Sequence, residues 1–321
     1  MRIPRVQLRT LRARAAERIG GTFLLPRGLP VLLGLALVVC SCRRGPEVPS
    51  YPITPKLDHY FPVVYHDGPL QLDLAWELDP SCPPLRDYRV FVHFIDTKAK
   101  QVRYYYDHDP PLPTSGWQAG TTVKYELLTF LEGVSYDGPL EIQIGLYDRH
   151  QIRTRPQLRG QARGKHQDAY AVGRVEFRPP NQRYLPLYKA GWFELETAAV
   201  LGEWRWTSKR AVASFKAPAS AATLYLKLSF PVQEVGGSQT LTVSRGEQIL
   251  GRLERHDPSL FIAKIEVPSD PAIPAESWFD LTLEANPGFQ PSLQGPNADT
   301  RELGVKVHHL FLRPSSEDAA S

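Results

Sequence analysis

The chain beyond residue 57 alternates apolar and polar positions with a period of two, which is typical of strands with one buried face. The segment PLQLDLAWEL, for example, places four apolar side chains on one face: Leu70, Leu72, Leu74 and Trp76. Comparable segments follow, namely DYRVFVHFID, QVRYYY, TVKYELLTFL, LEIQIGLYD and GRVEFRP. About seven such strands with Pro, Gly and Asp between them predict an immunoglobulin-like or fibronectin-like β-sandwich over residues 58–180.

The stretch RPPNQRYLP interrupts the alternation, and we place a linker at residues 181–187. The period of two then returns in AVASFKAP, ATLYLKLSF, QTLTVSRG, QILGRLER, LFIAKIEVP, WFDLTLEA and GVKVHHLFLRP. A long excursion precedes the last of these segments, which favours a jelly-roll-like sandwich over residues 188–314. The tail 315–321 is predicted to be disordered. The sequence therefore predicts an all-β protein with two consecutive β-sandwich domains.

Residues 1–41 differ from the rest of the chain in charge and hydropathy. Seven arginines and a single acid, Glu17, are followed by an apolar run of eleven residues at 29–39. A membrane-spanning helix needs roughly 20 residues, so this segment is predicted to be a secretory signal peptide. The sequence VCSC that follows resembles the lipobox of bacterial lipoproteins, in which a cysteine after small residues is acylated. Ser41 is smaller than Val39, so cleavage is expected before Cys42 rather than before Cys40.

The lipobox resemblance implies that Cys42 is lipidated and becomes the mature N-terminus. Two or three acyl chains would anchor the protein durably to a membrane. Arg43 in place of aspartate after that cysteine implies sorting to the outer membrane if the host is Gram-negative. Residues 42–57 are rich in proline and are predicted to form an extended tether. Cys82 is then the remaining thiol, so no intrachain disulfide is expected.

Removing the signal peptide changes the charge of the protein. Of the 38 Lys and Arg residues seven precede Cys42, and of the 34 Asp and Glu residues only Glu17 does, which leaves 31 basic and 33 acidic residues. The basic balance of the whole chain is therefore a property of the export signal. It gives no support for nucleic-acid binding.

The stretch YYYDHDPPLPTSGWQAG, residues 104–120, concentrates aromatic, acidic and proline residues. If QVRYYY is a strand, Val102, Tyr104 and Tyr106 face the core. The cluster Asp107-His108-Asp109 follows at the strand's exit, where it is either a metal site or a connecting loop. Consecutive side chains point in different directions, and no second ligand cluster at metal spacing follows. We therefore favour the loop and predict no metal or cofactor.

Residues 60–178 also resemble the extracytoplasmic β-sandwich at the end of bacterial membrane glycosyltransferases of the protein-mannosyltransferase type. The matching residues are His93, Pro113, Thr114, Ser115, Trp117, Gly120 and Gly145 to Asp148. No transferase membrane region accompanies them, so catalysis does not transfer with the resemblance. We expect Trp117 to pack over the sandwich, with a surface platform for a sugar as the alternative.

Residues 188–314 contain the phrases GEWRWTSKRA and DTRELGVKVHHLFL. They resemble an accessory sandwich that accompanies bacterial glycosyltransferases and cell-envelope glycan proteins. Trp204 and Trp206 should share one strand face with Arg205 opposite, either as aromatic core or as a ligand platform. The acidic and basic residues before the last strand either clamp the fold by pairing with Arg205 or Arg210 or hydrogen-bond sugar hydroxyls: Asp299, Arg301 and Glu302.

The segment 149–168 is strongly basic. It contains six cations and no acid before Asp168: Arg149, Arg153, Arg155, Arg159, Arg163 and Lys165. A solvated loop is the first interpretation of such a run. The alternative is attraction to phosphate-bearing lipid or an acidic polysaccharide, which salt would weaken.

The chain contains no G-x-S-x-G, H-E-x-x-H, P-loop or C-x-x-C pattern. We therefore predict a non-enzymatic, lipid-anchored envelope protein that binds glycan or supports glycan assembly. The alternatives are a scaffold lipoprotein that docks an envelope protein partner and has no sugar site, and a glycan-processing enzyme whose carboxylates only the fold would bring together.

Overall fold

The computed structural model of the protein describes residues 48–150, 154–164, 166–199, 202–293, 295–296 and 298–317. Strands dominate these ranges, and the helices in them are short 3₁₀ turns at Thr114–Gly116, Pro291–Leu293 and Ser315–Glu317, which confirms the predicted all-β class. The predicted signal peptide, residues 1–41, and the predicted lipidation site, Cys42, lie outside the described residues. Among those described, no helix is long and apolar enough to cross a membrane.

The first sandwich is built from two sheets. Its strands in chain order are β1 Ile53–Tyr60, β2 Val63–Tyr65, β3 Pro69–Leu78, β4 Tyr88–Asp96, β5 Gln101–Tyr105, β6 Thr122–Phe130, β7 Gly138–Asp148, β8 Ala162–Arg163 and β9 Ala169–Arg178. One sheet has the order β1-β3-β6 and the other β2-β9-β7-β4-β5, with β8 beside β9. The inward side chains of β3 and β4 fill the space between them, as the alternation predicts.

Strand β1 corrects the predicted tether. Its first residue, Ile53, is fully buried, so the interpretation of residues 42–57 as a tether is wrong for residues 53–57. The prolines suggested a tether, but β1 is an edge strand that pairs only with β3. Proline is tolerated in such an edge strand, where no second neighbour needs its missing N–H.

Strand β5 corrects a second expectation. Tyr104 and Tyr106 pack against the first core as predicted, but Val102 is 50% exposed. The pairing between β4 and β5 shifts register between Phe94 and Ile95, which face Tyr104 and Val102. One extra residue at this bulge reverses the alternation, so Val102 points to solvent.

The second sandwich consists of two five-stranded sheets. Its strands are β10 Leu187–Tyr188, β11 Trp192–Ala198, β12 Gly202–Thr207, β13 Arg210–Lys216, β14 Ala222–Ser229, β15 Gln239–Arg245, β16 Gln248–Arg255, β17 Phe261–Val267, β18 Trp278–Asn286 and β19 Lys306–Pro314. The sheet orders are β10-β13-β18-β15-β16 and β11-β12-β19-β14-β17. Leu187, which we assigned to the linker, thus belongs to the first strand of this sandwich.

The tail also differs from expectation. Residues 315–317 form a 3₁₀ turn rather than a disordered end, and the Glu317 carboxylate accepts hydrogen bonds from the hydroxyls of Tyr65 at 3.3 Å and Tyr184 at 2.6 Å. Residues 318–321 lie outside the described part of the chain. Glu317 therefore ties the end of the second sandwich to the first sandwich and to the linker.

The two sandwiches belong to one compact unit and share a packed joint. Arg313 on β19 is 1% exposed, its guanidinium lies 3.8 Å from the centroid of the Phe61 ring, and its Nη1 donates to the carbonyl of Val63 at 3.2 Å. Tyr225 and Phe311 of the second sandwich are part of the hydrophobic core of the first. The joint is therefore a continuation of the core and not a loose contact between separate domains.

Charged side chains of both sandwiches also pair with each other at this joint. Glu132 of the first sandwich pairs with Lys227 and, at 2.9 Å, with the Nε2 atom of His309, and Lys264 pairs with Glu126. Each of these pairs joins one sandwich to the other. They fix the orientation that the apolar contacts of the joint allow.

Candidate functional site

Trp117 is a structural residue of the first sandwich. Its side chain is 4% exposed, its ring lies 5.4 Å from that of Trp76, and its Nε1 donates to the carbonyl of Leu112 at 3.0 Å. Thr114 in the turn before it is fully buried, and its hydroxyl accepts from the backbone N–H of Tyr88 at 2.8 Å. The interpretation of Trp117 as a surface sugar platform is therefore wrong.

The Asp107-His108-Asp109 cluster is likewise divided among different partners. His108 Nε2 lies 2.9 Å from the Tyr125 hydroxyl, whereas Asp109 pairs with Arg89 at 3.3 Å and with Arg149 at 2.6 Å. Nowhere in the described ranges do three or more His, Cys, Asp or Glu side chains come close enough together to hold a metal ion. This stretch connects strands, as the loop interpretation expects.

The basic segment 149–168 is paired with the protein's own acids. The described arginines contact a carboxylate as follows: Arg149 with Asp109 at 2.6 Å, Arg155 with Asp168 at 3.9 Å, Arg159 with Asp79 at 2.7 Å and Arg163 with Glu141 at 3.1 Å. Arg153 and Lys165 lie outside the described residues. The described part of the segment is therefore largely exposed or half-buried, as the solvated-loop interpretation predicts, and its arginines are paired within the protein rather than facing an external anion.

The second sandwich contains a cleft on the outer face of one sheet. Strand alternation puts Trp204 and Trp206 on the same side of β12. Trp204 is opposite Glu196 of β11, and Trp206 is opposite Lys306 of β19. Arg205, on the other side of β12, is opposite the core residue Val307, so the tryptophans face away from the core of the sandwich.

The excursion between β18 and β19 forms the wall of this cleft. Phe289 and Leu303 exchange backbone hydrogen bonds of 2.9 and 2.7 Å, which closes the excursion at its base. Gly304 follows, and a Cβ there would lie 2.4 Å from the Thr207 hydroxyl oxygen. Only glycine lets the excursion approach β12 this closely.

We call this cavity of about 500 Å³ the indole cleft. Its described lining includes two indole rings, one phenyl ring and five charged side chains: Trp204, Trp206, Phe289, Glu196, Glu234, Asp299, Arg301 and Lys306. The volume lies in the range of roughly 300–1,000 Å³ that is usual for ligand sites. Aromatic faces combined with fixed donors and acceptors suit a ligand that has both apolar and hydroxyl surfaces.

Arg301 clamps the wall of the cleft to its floor. Its Nε donates to both Asp299 oxygens at 3.0 and 3.1 Å, and its Nη1 and Nη2 each lie 3.0 Å from Glu196 Oε1. The guanidinium also lies 5.0 Å from the centroid of the Phe193 ring. These contacts, with the Asp299 hydrogen bonds first, raise the pKa of Arg301 further and lower that of Asp299. Arg301 and Asp299 are therefore both ionised at neutral pH.

Lys306 lies on the tryptophan floor. Its Nζ is 5.1 Å from the Trp204 ring centroid and 4.9 Å from that of Trp206, so both indoles attract the ammonium group. The ammonium is thus held at a defined place beside both rings in the lining of the indole cleft. It also covers part of both rings, and each tryptophan is only 8% exposed.

His308 supports the floor from the neighbouring position on β19. Its ring centroid lies 6.1 Å from that of Trp204. Burial, together with the charges of Lys227 and His309, lowers the pKa of His308 to about 4. The imidazole is therefore neutral at pH 7 and adds no positive charge beside the cleft.

The structure brings four of the predicted ligand residues together in the cleft: Trp204, Trp206, Asp299 and Arg301. It does not bring Arg205, Arg210 or Glu302 there. Arg205 lies 5.0 Å from the Tyr188 ring centroid and donates to the Phe193 carbonyl, Arg210 is exposed on the other sheet, and Glu302 is exposed outside the lining. The predicted clamp exists, but its partner is Glu196. We had expected Arg205 or Arg210 in that place.

Sequence reasoning missed Glu196, Glu234, Phe289 and Lys306. Lys306 belongs to the quoted phrase GVKVHHL, and its alternation with Val305 and Val307 marks it as outward-facing. That signal identifies the face but not the neighbour. The register that places Lys306 opposite Trp206 joins residues one hundred positions apart.

No family model matches the chain, and no curated protein matches it in sequence. Among solved structures, a tandem CBM22 domain of Paenibacillus barcinonensis Xyn10C is similar with 13% identity and a TM-score of 0.25, over 78% of this chain and 80% of that one. SGBP-B of Bacteroides ovatus, in complex with a mixed-linkage heptasaccharide, matches with 9% identity and a TM-score of 0.24, over 79% and 51%.

A third structure, CBM51-2 with INT domains of Clostridium perfringens ZmpB in complex with GlcNAc, matches with 5% identity and a TM-score of 0.24, over 56% of this chain and 38% of that one. The chain thus spans well under two thirds of the last two structures. TM-scores this far below 0.5 carry no argument about what the present chain binds.

Proposed function

We propose that this protein is a non-enzymatic, lipid-anchored protein of a bacterial envelope that binds a glycan in the indole cleft. The observation that carries the proposal is the lining of the cleft, where indole and phenyl rings lie together with carboxylate, guanidinium and ammonium groups. Sugars present apolar C–H faces and hydroxyl groups that both donate and accept. A cleft with aromatic surface and with both donors and acceptors matches that chemistry.

The clamp supports binding over catalysis. A glycoside hydrolase needs a carboxylic acid whose pKa is raised so that it can protonate the leaving oxygen. Asp299 has the opposite property, because Arg301 lowers its pKa. Glu196 is bound to the same guanidinium. Two carboxylates of the cleft thus hold its wall in place and position hydrogen-bonding groups.

Binding is tested with the chain from Arg43 to Ser321, titrated against a panel of envelope polysaccharides. The double variant Trp204→Phe/Trp206→Phe keeps apolar side chains in place but reduces the indole surface. We expect at least tenfold weaker binding of the polysaccharide that wild type binds, with the unfolding midpoint still well above the assay temperature. Trp278→Ala is the matched control, because Trp278 is 49% exposed on the other sheet, and it should bind normally. Absence of binding by folded wild type to every glycan would contradict the proposal.

The lipid anchor is tested separately on the full chain. Replacing Cys42 by alanine removes the acylated thiol, so the protein should leave the membrane fraction and appear soluble. Cys40→Ala is the matched control and should stay attached. Membrane attachment of Cys42→Ala equal to that of wild type would show that another feature holds the protein there.

A further inference from the structure

The charges of the indole cleft do not cancel. Its described lining contains three carboxylates, of Glu196, Glu234 and Asp299, against two cations, Arg301 and Lys306. Arg301 is bound to two of the carboxylates at once, so the clamp keeps one negative charge. His308 next to the floor is neutral at pH 7. The lining therefore has a formal charge of minus one, counted over these described residues.

Two consequences follow for a ligand. Hydroxyl groups can donate to the carboxylates and accept from Lys306, so an uncharged sugar satisfies both kinds of group. A sugar with a carboxylate or phosphate would bring a second negative charge into a cavity that already has an excess of one. Charges in a partly enclosed cleft interact more strongly than in bulk water. An acidic ligand is therefore penalised although Lys306 is present.

The described part of the basic segment 149–168 does not compensate for this negative charge. The described arginines of residues 149–168 are occupied by Asp109, Asp168, Asp79 and Glu141. Without residues 1–41 the chain also has more acids than bases. Long-range attraction of an acidic polysaccharide is therefore not expected.

We propose that the indole cleft selects an uncharged, hydroxyl-rich saccharide and discriminates against acidic ones. This inference rests on the proposed glycan binding at the same cleft and names its ligand class. The carboxylates act as hydrogen-bond acceptors for hydroxyls and as a barrier against anions. Lys306 donates hydrogen bonds to hydroxyls, and its positive charge limits the net negative charge of the cleft.

The test uses three pairs of probes, each an uncharged polysaccharide and its acidic counterpart: a glucan, a mannan and a galactan, each with its C6-oxidised form, in which primary alcohols have become carboxylates. Binding to the chain from Arg43 to Ser321 is measured at low and high salt. We expect the neutral member of a pair to bind, and we expect the affinity of the oxidised member to be lower by about fivefold or more at low salt. The difference should shrink at high salt because ions screen the repulsion.

C6 oxidation also changes shape, and a series of cleft variants separates charge from shape. Glu196→Gln raises the charge of the cleft by one while its amide oxygen can still accept from Arg301, and Lys306→Met lowers the charge by one. The ratio of neutral to oxidised affinity should fall by about fivefold in the first and rise by about fivefold in the second. Glu247→Gln, exposed at the β15–β16 turn on the other sheet, makes the same charge change and should leave the ratio unaltered.

The outcomes distinguish the two proposals. If a glycan binds but its oxidised form binds as tightly or more tightly at low salt, the selection for uncharged sugars is overturned while glycan binding stands. A ratio that stays flat across Glu196→Gln and Lys306→Met overturns it as well. If no member of any pair binds, and the wider polysaccharide panel also fails, the proposed function itself fails.

Discussion

Trp117 in the first sandwich and the pair Trp204 and Trp206 in the second have almost the same small exposure, 4% and 8%, but their surroundings differ. Trp117 contacts a backbone carbonyl and a second indole ring inside the protein. The other two border a cavity of about 500 Å³ and hold an ammonium group between themselves and the solvent. Accessible area alone therefore does not separate a core tryptophan from a site tryptophan. The two kinds of tryptophan are distinguished by the groups that lie next to the ring.

The sharpest way to separate the two regions is to truncate Trp117. Trp117→Ala removes a buried ring and orphans the Leu112 carbonyl, so we expect a loss of about 3–5 kcal/mol in the free energy of unfolding. Urea unfolding followed by circular dichroism measures it. The fraction that stays folded should bind glycan with wild-type affinity, because Trp117 does not line the indole cleft. A change in affinity without a loss of stability would reverse the assignment of the two regions.

The same contrast explains how far sequence reasoning reaches. Strands β3 and β4 follow from alternation because one face of each is continuously apolar and buried, and that pattern is local. β1 was missed because it begins inside a proline-rich stretch that resembles a tether, and the exposure of Val102 depends on a bulge that alternation does not show. The pairing of Trp204 with Trp206 on one face was predictable. The arrival of Lys306 and Glu196 beside them was not, because strand register depends on the whole sheet.

Whether the two sandwiches behave as independent bodies depends on the joint between them. Arg313→Met keeps an apolar stem over Phe61 but removes the buried guanidinium and its bond to the Val63 carbonyl. We expect a loss of about 2 kcal/mol, since an unsatisfied buried acceptor costs roughly 1–3 kcal/mol. Thermal unfolding checks this, with Arg252→Met, at an exposed position of β16, as the control. A single transition that keeps its midpoint would mean that Arg313 contributes nothing to the joint.

The clamp can be broken without touching either core. Arg301→Met leaves Asp299 and Glu196 without the cation that joins the excursion to β11. The wall of the indole cleft should loosen, and affinity for the bound glycan should fall about tenfold, or ~1.4 kcal/mol. Stability should change little, because the Arg301 side chain is 35% exposed. Arg210→Met, another arginine of the second sandwich, should bind as wild type does. Equal losses in both variants would place the effect in net charge and not in the clamp.

The smallest expected effect concerns Glu132 at the joint. Hydrogen bonding by His309 first, and then by Lys227, lowers the pKa of Glu132 from 4.5 to about 2 in the folded protein. A lowered pKa stabilises the fold above the unfolded value and loses that contribution as the pH falls from about 4.5 towards about 2. The side chain is 45% exposed, so solvent screening limits the contribution to about 1 kcal/mol or less.

The difference in unfolding free energy between wild type and Glu132→Gln, measured at several pH values, reports this contribution. It should be constant near neutrality and disappear over that acidic range, whereas the same difference for Glu247→Gln should stay near zero throughout. A difference that grows as the pH falls would contradict the sign. Because His309 adjoins His308, and His308 contacts Trp204, glycan affinity measured in the same series tests whether the joint and the indole cleft are coupled. Affinity that stays constant while the joint weakens would mean that the cleft is held by its own sheet and clamp.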